Sequence, residues 1–511
     1  MRRPRRLVKS AAAVVIAALA TLPSALGAAP ALPSLSFDHY VFKHAGGEPD
    51  MTISPSGKTV LVAGLSLNAS PAVLYRSLDG GKTFAKLSPT FDRAGGGDWD
   101  MQLLDDHNVI AGDLALSDGI YVDRSTDAGQ TWTSTRVLTD VYDRPWISHY
   151  GRDKVYLVTK GFDGVPYLYR STDGGASFGA LPIPLIIYGL PTQTGGPNPS
   201  DAFVTNQDAY VDHLIVDQRS GDLYILYGIG APDSYNARQP AGASNHLYVA
   251  HLVGDTLVSH PVFIGGADDS FISGFNWMTV DPNGTVYVLA DGRINGHHSA
   301  RLSYSKDHGT TWSSLVDLAP RGAANVYGAI AAGKPGELAL AYIRGTNEDP
   351  STAQLWYAEM AKIKNADTAA PKVQHVRGLS APIHTKDICF SGILCGVPGF
   401  GNDRTLLDFI WADMGPDGRA WGVFSSDGPA TNGSANPDPD VLVLREHGSA
   451  LTPVIAARSP KPKPKPVVLG SKQTRSGHLA ATGVGGAPLA LCVALFALAA
   501  LAAAPIVRRR Y

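Results

Sequence analysis

Glutamate is scarce in this sequence of 511 residues: only five of the 45 acidic residues are glutamates, and the other 40 are aspartates. Glycine and proline, in contrast, number 55 and 36. Asp, Gly and Pro are all less favourable than Glu in the interior of a helix, by a few tenths to about 3 kcal/mol per residue. The composition therefore excludes a mainly helical fold and predicts a protein of strands and turns.

Acidic residues are missing from both ends of the chain. Residues 1–9 contain five Lys and Arg and residues 458–511 contain nine, so that 29 bases face 45 acids in the rest. A central region with this excess of negative charge repels a polyanion. Nucleic-acid binding is therefore excluded for the folded part, and no nucleic-acid partner is expected.

The N-terminal segment has the pattern of a secretory signal peptide. The basic residues 1–9 precede a short apolar stretch, and Ala25-Leu26-Gly27 provides small residues at the cleavage position. A membrane-spanning helix needs about 20 apolar residues, and Pro23 interrupts the run before that length. We therefore expect residues 1–27 to direct export, by either the Sec or the twin-arginine route.

The C-terminal region begins with a Pro/Lys-rich linker, residues 451–478, in which alternating prolines favour an extended polyproline II path. The pentapeptide LAATG, with Leu479, Thr482 and Gly483, is followed by an apolar run and three arginines. This order, over residues 479–511, resembles a LAxTG-type sortase sorting signal. The resemblance implies cleavage between Thr482 and Gly483 by a sortase and attachment of Thr482 to peptidoglycan.

The alternative for residues 479–511 is a plain membrane anchor, in which the terminal arginines stay on the cytoplasmic side. In both cases we expect an exported protein held at the cell wall or cell surface by its C-terminal segment, with membrane contact through that segment before or instead of sorting.

Cysteine is also scarce, with three residues. Cys492 lies in the C-terminal apolar run, which leaves Cys389 and Cys395, six positions apart. In an oxidising compartment this pair is expected to form a disulfide that closes a small loop; two free thiols are the alternative. No zinc-ligand spacing surrounds the pair, so no metal site is expected there.

One octapeptide occurs four times, at residues 77–84, 125–132, 171–178 and 305–312. It reads SLDGGKTF, STDAGQTW, STDGGASF and SKDHGTTW, and it resembles the Asp-box, or bacterial neuraminidase repeat, of sialidases and other secreted β-propellers. The aspartate is expected to accept backbone N–H bonds within a tight turn in which glycine supplies a positive φ. The resemblance implies a structural role, away from any active site, for Asp79, Asp127, Asp173 and Asp307.

A second repeat, of two apolar runs joined by a turn, marks the innermost strand of each unit. Its units begin at Pro49, Trp99, Trp146, His213, Trp277, Tyr327 and Trp411. A spacing near 50 residues is typical of a four-stranded blade. The count predicts an all-β, seven-bladed propeller over residues 37–450, with a six-bladed, sialidase-like propeller as the alternative.

The loops that connect propeller blades gather on one face, where ligands bind. The resemblance to sialidases implies three arginines on a carboxylate, a tyrosine activated by a glutamate, and a loop aspartate as acid. The ligand-binding candidates at this face are Arg144, Arg293, Arg344 and Arg404. The candidates for catalysis are Arg144, Arg404, Asp98, Asp143, Glu48 and Glu348.

The sequence also departs from the sialidase pattern. The family's Phe/Tyr-Arg-Ile-Pro motif ahead of the first box is missing, and only two glutamates can reach the loop face. Asp143 and Arg144 alternatively form a local ion pair, and His297 with His298 favours a solvated turn over a metal pair. No cofactor is expected, apart from structural Ca²⁺ in an Asp-rich turn such as residues 436–440.

These observations predict an exported, surface-anchored propeller that binds an extracellular glycan or surface protein at its loop face. An exo-acting, sialidase-like glycoside hydrolase is the alternative, so whether the protein is an enzyme stays open at this point.

The sorting signal can be tested by replacing Thr482 with alanine. Because the threonine carbonyl is the group that a sortase transfers, Thr482→Ala is expected to abolish the wall-linked fraction, measured by immunoblot after enzymatic wall digestion. Thr474→Ala, eight residues away in the linker, serves as the matched control and should leave that fraction unchanged. Wall linkage that persists in Thr482→Ala would leave only a membrane anchor.

Overall fold

In the part of the chain that the structure describes, short apolar runs separated by Gly- and Asp-containing turns form thirty strands in seven sheets, which are antiparallel except for one short parallel pair. The computed structural model describes residues 35–65, 73–91, 99–115, 119–139, 145–160, 166–179, 183–184, 209–229, 245–266, 268–271, 275–390, 395–396, 402–432 and 438–447. The signal peptide, the linker, the sorting signal and the candidates Asp98, Asp143 and Arg144 lie outside these ranges.

The first four blades follow one another along the chain. Blade 1 contains β2 (Gly47–Ile53), β3 (Val60–Leu65), β4 (Val73–Ser77) and β5 (Ala85–Lys86). Blade 2 contains β6 (Thr90–Phe91), β7 (Trp99–Leu103), β8 (Val109–Ala115), β9 (Gly119–Ser125) and β10 (Thr131–Leu138). Blade 3 contains β11 (Trp146–Tyr150), β12 (Lys154–Lys160), β13 (Pro166–Ser171) and β14 (Ile183–Pro184). Blade 4 contains β15 (Ala209–Val216), β16 (Leu223–Ile229), β17 (His246–Val253) and β18 (Thr256–Ile264).

The last three blades complete the ring. Blade 5 contains β19 (Ser270–Phe271), β20 (Trp277–Val280), β21 (Val286–Ile294), β22 (His297–Ser305) and β23 (Val316–Asp317). Blade 6 contains β24 (Asn325–Ala332), β25 (Leu338–Arg344), β26 (Tyr357–Lys364) and β27 (Lys372–Arg377). Blade 7 contains β28 (Trp411–Met414), β29 (Ala420–Ser426) and β30 (Asp440–His447), and its outermost strand is β1 (Ser36–Phe42).

The ring is closed by pairing the first strand of the structure with the last. β1 runs antiparallel to β30, from Ser36 opposite His447 to Phe42 opposite Val441. Each innermost strand lies beside the innermost strand of the next blade, and β28 lies beside β2. The prediction of a seven-bladed propeller is confirmed, and the six-bladed alternative is wrong.

Side chains with oxygen acceptors join the innermost strands of neighbouring blades. Because these strands have no further strand on their inner side, their backbone N–H groups need other partners. The backbone N–H of Met101 donates to Asp50 Oδ2 over 2.6 Å, and that of Ile147 donates to Asp100 Oδ2 over 2.7 Å. Three further side chains accept a backbone N–H in this way: Ser148 from Val216, Thr279 from Ala332, and Asp413 from Ile53.

The four Asp-boxes form the turns between the third and fourth strands, as their sequence predicts. In the first box, Asp79 Oδ1 accepts the backbone N–H groups of Lys82 and Thr83, each over 3.0 Å, and Asp79 Oδ2 accepts the Thr83 hydroxyl over 2.7 Å. Hydrogen bonds from Ser177 and Ser171 lower the pKa of Asp173 to about 2. The boxes therefore carry ionised aspartates that hold turns, which agrees with a structural role.

The first box also packs blade 1 against blade 7. Gly81 has a φ of +75°, and a Cβ added there would lie 2.0 Å from Cη2 of Trp421. Glycine is thus required twice at this position, for its backbone conformation and for the close approach of the tryptophan.

No helix within the described ranges has the length and apolar character needed to cross a membrane. A single-turn 3-10 helix, Pro429–Thr431, precedes β30.

Gly81→Ala is expected to destabilise the propeller more than a glycine substitution that only strains the backbone. Gly151, with a φ of +62° and no atom within 4 Å of an added Cβ, is the matched control. Gly151→Ala should cost about 1–2 kcal/mol, and Gly81→Ala that amount plus a further loss from displacing Trp421. Urea unfolding measures the loss of unfolding free energy in each variant. Equal losses would contradict the proposed packing of Trp421 against Gly81.

Candidate functional site

The connection between blades 6 and 7 extends onto the loop face of the propeller. Its described residues include 402–410, here named the mouth segment, which contacts the innermost strands of blades 1 and 6. These two blades flank blade 7, which the mouth segment precedes. The contacts bring together Glu48, Tyr327, Arg404, Leu407 and Asp408, here named the mouth cluster.

Two β-bulges position the mouth cluster. In blade 1, Gly47 pairs with Leu65 and Asp50 with Ala63, so that two residues of β2 oppose one of β3. The pairing in blade 6 shifts in the same way between Val326 and Ala329. The extra residues include Glu48 and Tyr327, with φ values of +45° and +55°. A bulge bends its strand and redirects the side chain, which here places both residues against the mouth segment.

Arg404 joins the two sides of the mouth cluster. Its Nε lies 3.1 Å from Asp408 Oδ1, its Nη2 also contacts Asp408 Oδ2, and Nη2 lies 3.6 Å from Glu48 Oε1. Burial lowers the pKa of the guanidinium, but the hydrogen bonds and charge of Asp408 outweigh this and raise it. Arg404 is therefore a permanent cation whose charge is already matched by protein carboxylates.

Tyr327 does not have the environment of a nucleophile. Its hydroxyl donates to the backbone carbonyl of Leu407 over 3.2 Å, and its side chain is 2% exposed. Burial raises the pKa of the phenol well above its usual value, the negative charge of Asp408 raises it further, and Arg404 opposes the rise only in part. Burial, the raised pKa and the hydrogen bond to a carbonyl all disfavour the phenolate that a nucleophile needs.

Arg344 and Glu348 brace the connection between blades 5 and 6. Arg344 donates to the carbonyls of Pro320 and Arg321 and, over 2.8 Å, to Asn325 Oδ1. Glu348 Oε1 accepts the backbone N–H of Gly322 over 2.9 Å. Both side chains are used in holding loops, and neither contacts the mouth cluster through a described hydrogen bond.

The two adjacent histidines at the loop face differ from their prediction. His297 and His298 begin strand β22, and His297 Nδ1 lies 2.6 Å from Glu348 Oε2, so the expected solvated turn is wrong. Burial, with the positive charge of Arg293, lowers the pKa of His298 to about 4. Arg293 itself is exposed. The structure thus brings two of the candidates, Glu48 and Arg404, into contact, and no described hydrogen bond or ion pair joins Arg293, Arg344 or Glu348 to them.

Aromatic rings fill the central channel. Trp146, Trp277 and Trp411 belong to blades 3, 5 and 7, and their centroids lie 5.8 Å, 4.7 Å and 6.4 Å apart. His213 of blade 4 lies 4.6 Å from Trp277, and burial lowers its pKa to about 3. Rings from non-adjacent blades meet only across the channel axis, so this central ring cluster blocks passage through the propeller.

Several carboxylates that accept backbone N–H groups of the innermost strands have raised pKa values because they are buried. Burial raises the pKa of Asp413 to about 7, and that of Asp291, which accepts the backbone N–H of Gly328 over 2.7 Å, to about 7. Burial also raises the pKa of Asp50 and of Asp100 well above the usual range. The acceptor role of Asp50 could not be predicted from the sequence, because it depends on contacts between blades.

A second group of polar residues holds the connection between blades 6 and 7. His384 is fully buried; its Nδ1 lies 2.6 Å from Asp427 Oδ1 and its Nε2 lies 3.0 Å from the carbonyl of Asp387. Cys389 and Cys395 form a disulfide with a Cα–Cα distance of 5.9 Å. No sequence signal marks His384, since its partners lie up to 43 residues away.

Metal ligands do not assemble in the described ranges, where no group of three His, Cys, Asp or Glu side chains is placed to hold a metal ion. Of the Asp-rich turn considered for Ca²⁺, Asp440 instead lies 2.8 Å from Lys43 Nζ and accepts the backbone N–H of His44.

No protein-family model matches the sequence, and neither does any curated protein. Solved structures with similar folds include a lectin from Burkholderia pseudomallei (10% identity, TM-score 0.45, covering 76% of this chain and 98% of the lectin). A protein of unknown function from Dyadobacter fermentans has 14% identity and a TM-score of 0.43, covering 81% of this chain and 100% of that protein. A Hadza microbial sialidase has 12% identity and a TM-score of 0.37, covering 78% of this chain and 65% of the sialidase. Likenesses this distant carry no conclusion about function.

The buried carboxylates predict a pH dependence of stability. A carboxyl whose pKa is raised in the folded state stabilises the protein below its unfolded pKa, near 4, and this stabilisation is lost as pH rises to about 7. The buried carboxyls therefore contribute a fall in melting temperature between pH 5 and pH 8, while the lowered pKa values of His213 and His298 contribute a rise up to their unfolded pKa near 6.5.

Asp413→Asn should make that fall smaller, because the amide oxygen still accepts the backbone N–H of Ile53 but carries no charge. Asp173→Asn is the control: the pKa of Asp173 is lowered to about 2, so the variant leaves the slope between pH 5 and pH 8 unchanged. Thermal melts at pH 5 and pH 8 measure the change in melting temperature for each variant. An unchanged pH dependence in Asp413→Asn would contradict the raised pKa of Asp413.

Proposed function

We propose that this protein is exported, is anchored at the cell surface by its C-terminal segment, and binds an extracellular glycan or surface protein at its loop face without hydrolysing it. The observation that carries the proposal is the environment of Tyr327. The tyrosine adjacent to a glutamate and an arginine at the mouth is buried, has a raised pKa and is bonded to a backbone carbonyl. Binding needs none of the reactivity that this environment removes.

The state of the other polar residues also supports binding. Arg404 and Arg344 donate to oxygen atoms of the protein itself. Glu348 accepts the backbone N–H of Gly322. Side chains held in this way give a rigid surface whose polar groups need little ordering when a partner binds. The acidic character of the folded region disfavours anionic ligands such as sialic acids, because the charge of Arg404 is compensated locally.

The alternative, a sialidase-like exo-glycosidase, is favoured by one observation: Arg404, Glu48 and Tyr327 lie together at the mouth. These are three of the residue types that such an enzyme uses. The two functions differ in whether a bound glycoside is turned over.

Binding at the mouth is tested with Arg404→Ala, measured on immobilised glycans and on extracts of surface protein. Removal of the arginine takes away the cation and the hydrogen-bond donors at the centre of the mouth cluster, so we expect binding to weaken by about tenfold or more. Arg419→Ala is the matched control, because Arg419 forms a comparable ion pair with Asp417 in the turn between β28 and β29, on the opposite face. Binding should be unchanged in that variant.

A fluorogenic sialoside separates the two functions in the same preparations. We expect no turnover by the unmodified protein. Turnover that Arg404→Ala abolishes and Arg419→Ala preserves would replace the binding proposal by the hydrolase.

A further inference from the structure

A buried histidine links the two blades on either side of the connection between blades 6 and 7. His384 is fully buried, and its backbone pairs with Trp356, directly before β26 of blade 6. The carbonyl of the preceding residue, Ile383, accepts the backbone N–H groups of Asp427 and Gly428, directly after β29 of blade 7, over 3.1 and 2.8 Å. Backbone contacts with both blades therefore fix the position of the imidazole.

Both ring nitrogens of His384 face oxygen atoms that accept hydrogen bonds. Nδ1 lies 2.6 Å from Asp427 Oδ1, and Nε2 lies 3.0 Å from the backbone carbonyl of Asp387. A carbonyl oxygen and an ionised carboxylate accept hydrogen bonds but donate none, whereas a neutral imidazole has only one N–H. Both contacts are hydrogen bonds only if the ring carries two protons, so the geometry indicates an imidazolium cation.

The charges around the ring favour the same state. The carboxylates of Asp387, Asp403 and Asp427 all act on Lys386, whose Nζ lies 2.7 Å from Asp403 Oδ2. One lysine does not balance three carboxylates, and Asp403 Oδ1 also lies 3.6 Å from Nε2 of His384. Burial lowers the pKa of His384, but the hydrogen bond and charge of Asp427, the carbonyl of Asp387 and the charge of Asp403 outweigh this and raise it.

The residues bonded to His384 also hold the mouth segment. Asp387, whose carbonyl accepts the Nε2 proton, uses its Oδ2 to accept the backbone N–H groups of Asn402 and Asp403 over 2.9 and 3.3 Å. The next residue is Arg404, the cation of the mouth cluster. The histidine thus fixes the residue that holds the start of the mouth segment.

We propose that His384 is a buried imidazolium and a positioning residue for Arg404, because its two N–H groups hold Asp427 and Asp387 and, through Asp387, the start of the mouth segment. When the ring loses a proton, one of the two oxygens loses its donor, so the surroundings of Arg404 depend on pH. The inference rests on the proposed function only in treating Arg404 as part of the binding surface.

The charge of the ring is measured in the unmodified full-length protein by NMR of isotope-labelled histidine. Free histidine, with a pKa near 6.5, is about nine-tenths neutral at pH 7.5. Both ring nitrogens of His384 are expected to keep their protons at that pH, because its pKa is raised. The signal is assigned by its loss in His384→Gln.

Thermal melts of the same proteins measure what the charge contributes to stability. The stabilisation is present below the unfolded pKa near 6.5 and is lost as pH rises through the raised pKa of the folded state. The melting temperature of His384→Gln is therefore expected to fall less between pH 6.5 and pH 9 than that of the unmodified protein. His447→Gln is the matched control, since that histidine also lies beside a carboxylate, Asp38, but is exposed.

The positioning role is measured on Arg404, whose guanidinium keeps its proton over this pH range because its pKa is raised. Its Nε–H signal, identified by its loss in Arg404→Ala, is expected to shift with the same midpoint as the His384 ring. In His384→Gln that shift should disappear. The Nε–H signal of Arg419, on the opposite face, is the control and should not follow the midpoint.

A His384 ring with a single proton at pH 7.5 would contradict the imidazolium, and an Arg404 signal that does not follow the ring would contradict the positioning role. If His384→Gln does not fold, both titrations in the unmodified protein still decide, with the ring signal assigned by its shift in Asp427→Asn. Neither result bears on the Arg404→Ala binding comparison, so this inference and the proposed function fail separately.

Discussion

The fold depends on how the inner edges of seven sheets are satisfied. Every innermost strand presents backbone N–H groups toward the next blade, and burying them without partners would cost about 1–3 kcal/mol each. Asp50, Asp100 and Asp413 accept such groups from the neighbouring strand. The ring is therefore held by acceptor side chains as well as by apolar packing, and its closure by β1 and β30 makes the arrangement continuous.

Aspartate has two structural roles in this protein, in the Asp-boxes and between the innermost strands, and its pKa is shifted in opposite directions in the two. In the boxes, exposed carboxylates accept several hydrogen bonds, so their pKa is lowered, to about 2 for Asp307. Between the innermost strands, carboxylates accept backbone N–H groups in an apolar interior, and burial raises the pKa, to about 7 for Asp413. Glutamate, one methylene longer, fits neither short-range geometry as well, which is consistent with its scarcity.

Local sequence patterns predicted the blades and their turns, because a box and a strand hairpin are each contained within a few tens of residues. The mouth cluster could not be predicted in the same way. Glu48 and Tyr327 reach Arg404 only because β-bulges redirect them, and the bulges leave no recognisable pattern in the sequence. Trp146 and Trp411 were placed on inner strands correctly, but their contact across the channel joins blades far apart in the chain.

The environment of Tyr327 in the mouth cluster is set by the backbone. The bulge that brings Tyr327 to Arg404 also directs its hydroxyl at the carbonyl of Leu407, which holds the proton on the phenol. A nucleophilic tyrosine would need access to substrate and a base to accept that proton. Glu48 is the nearest residue of the right kind, yet its described charge partner is Arg404. The same contacts that assemble the three residue types of a glycosidase therefore withhold the tyrosine from reaction, which is why we propose binding at the loop face without turnover.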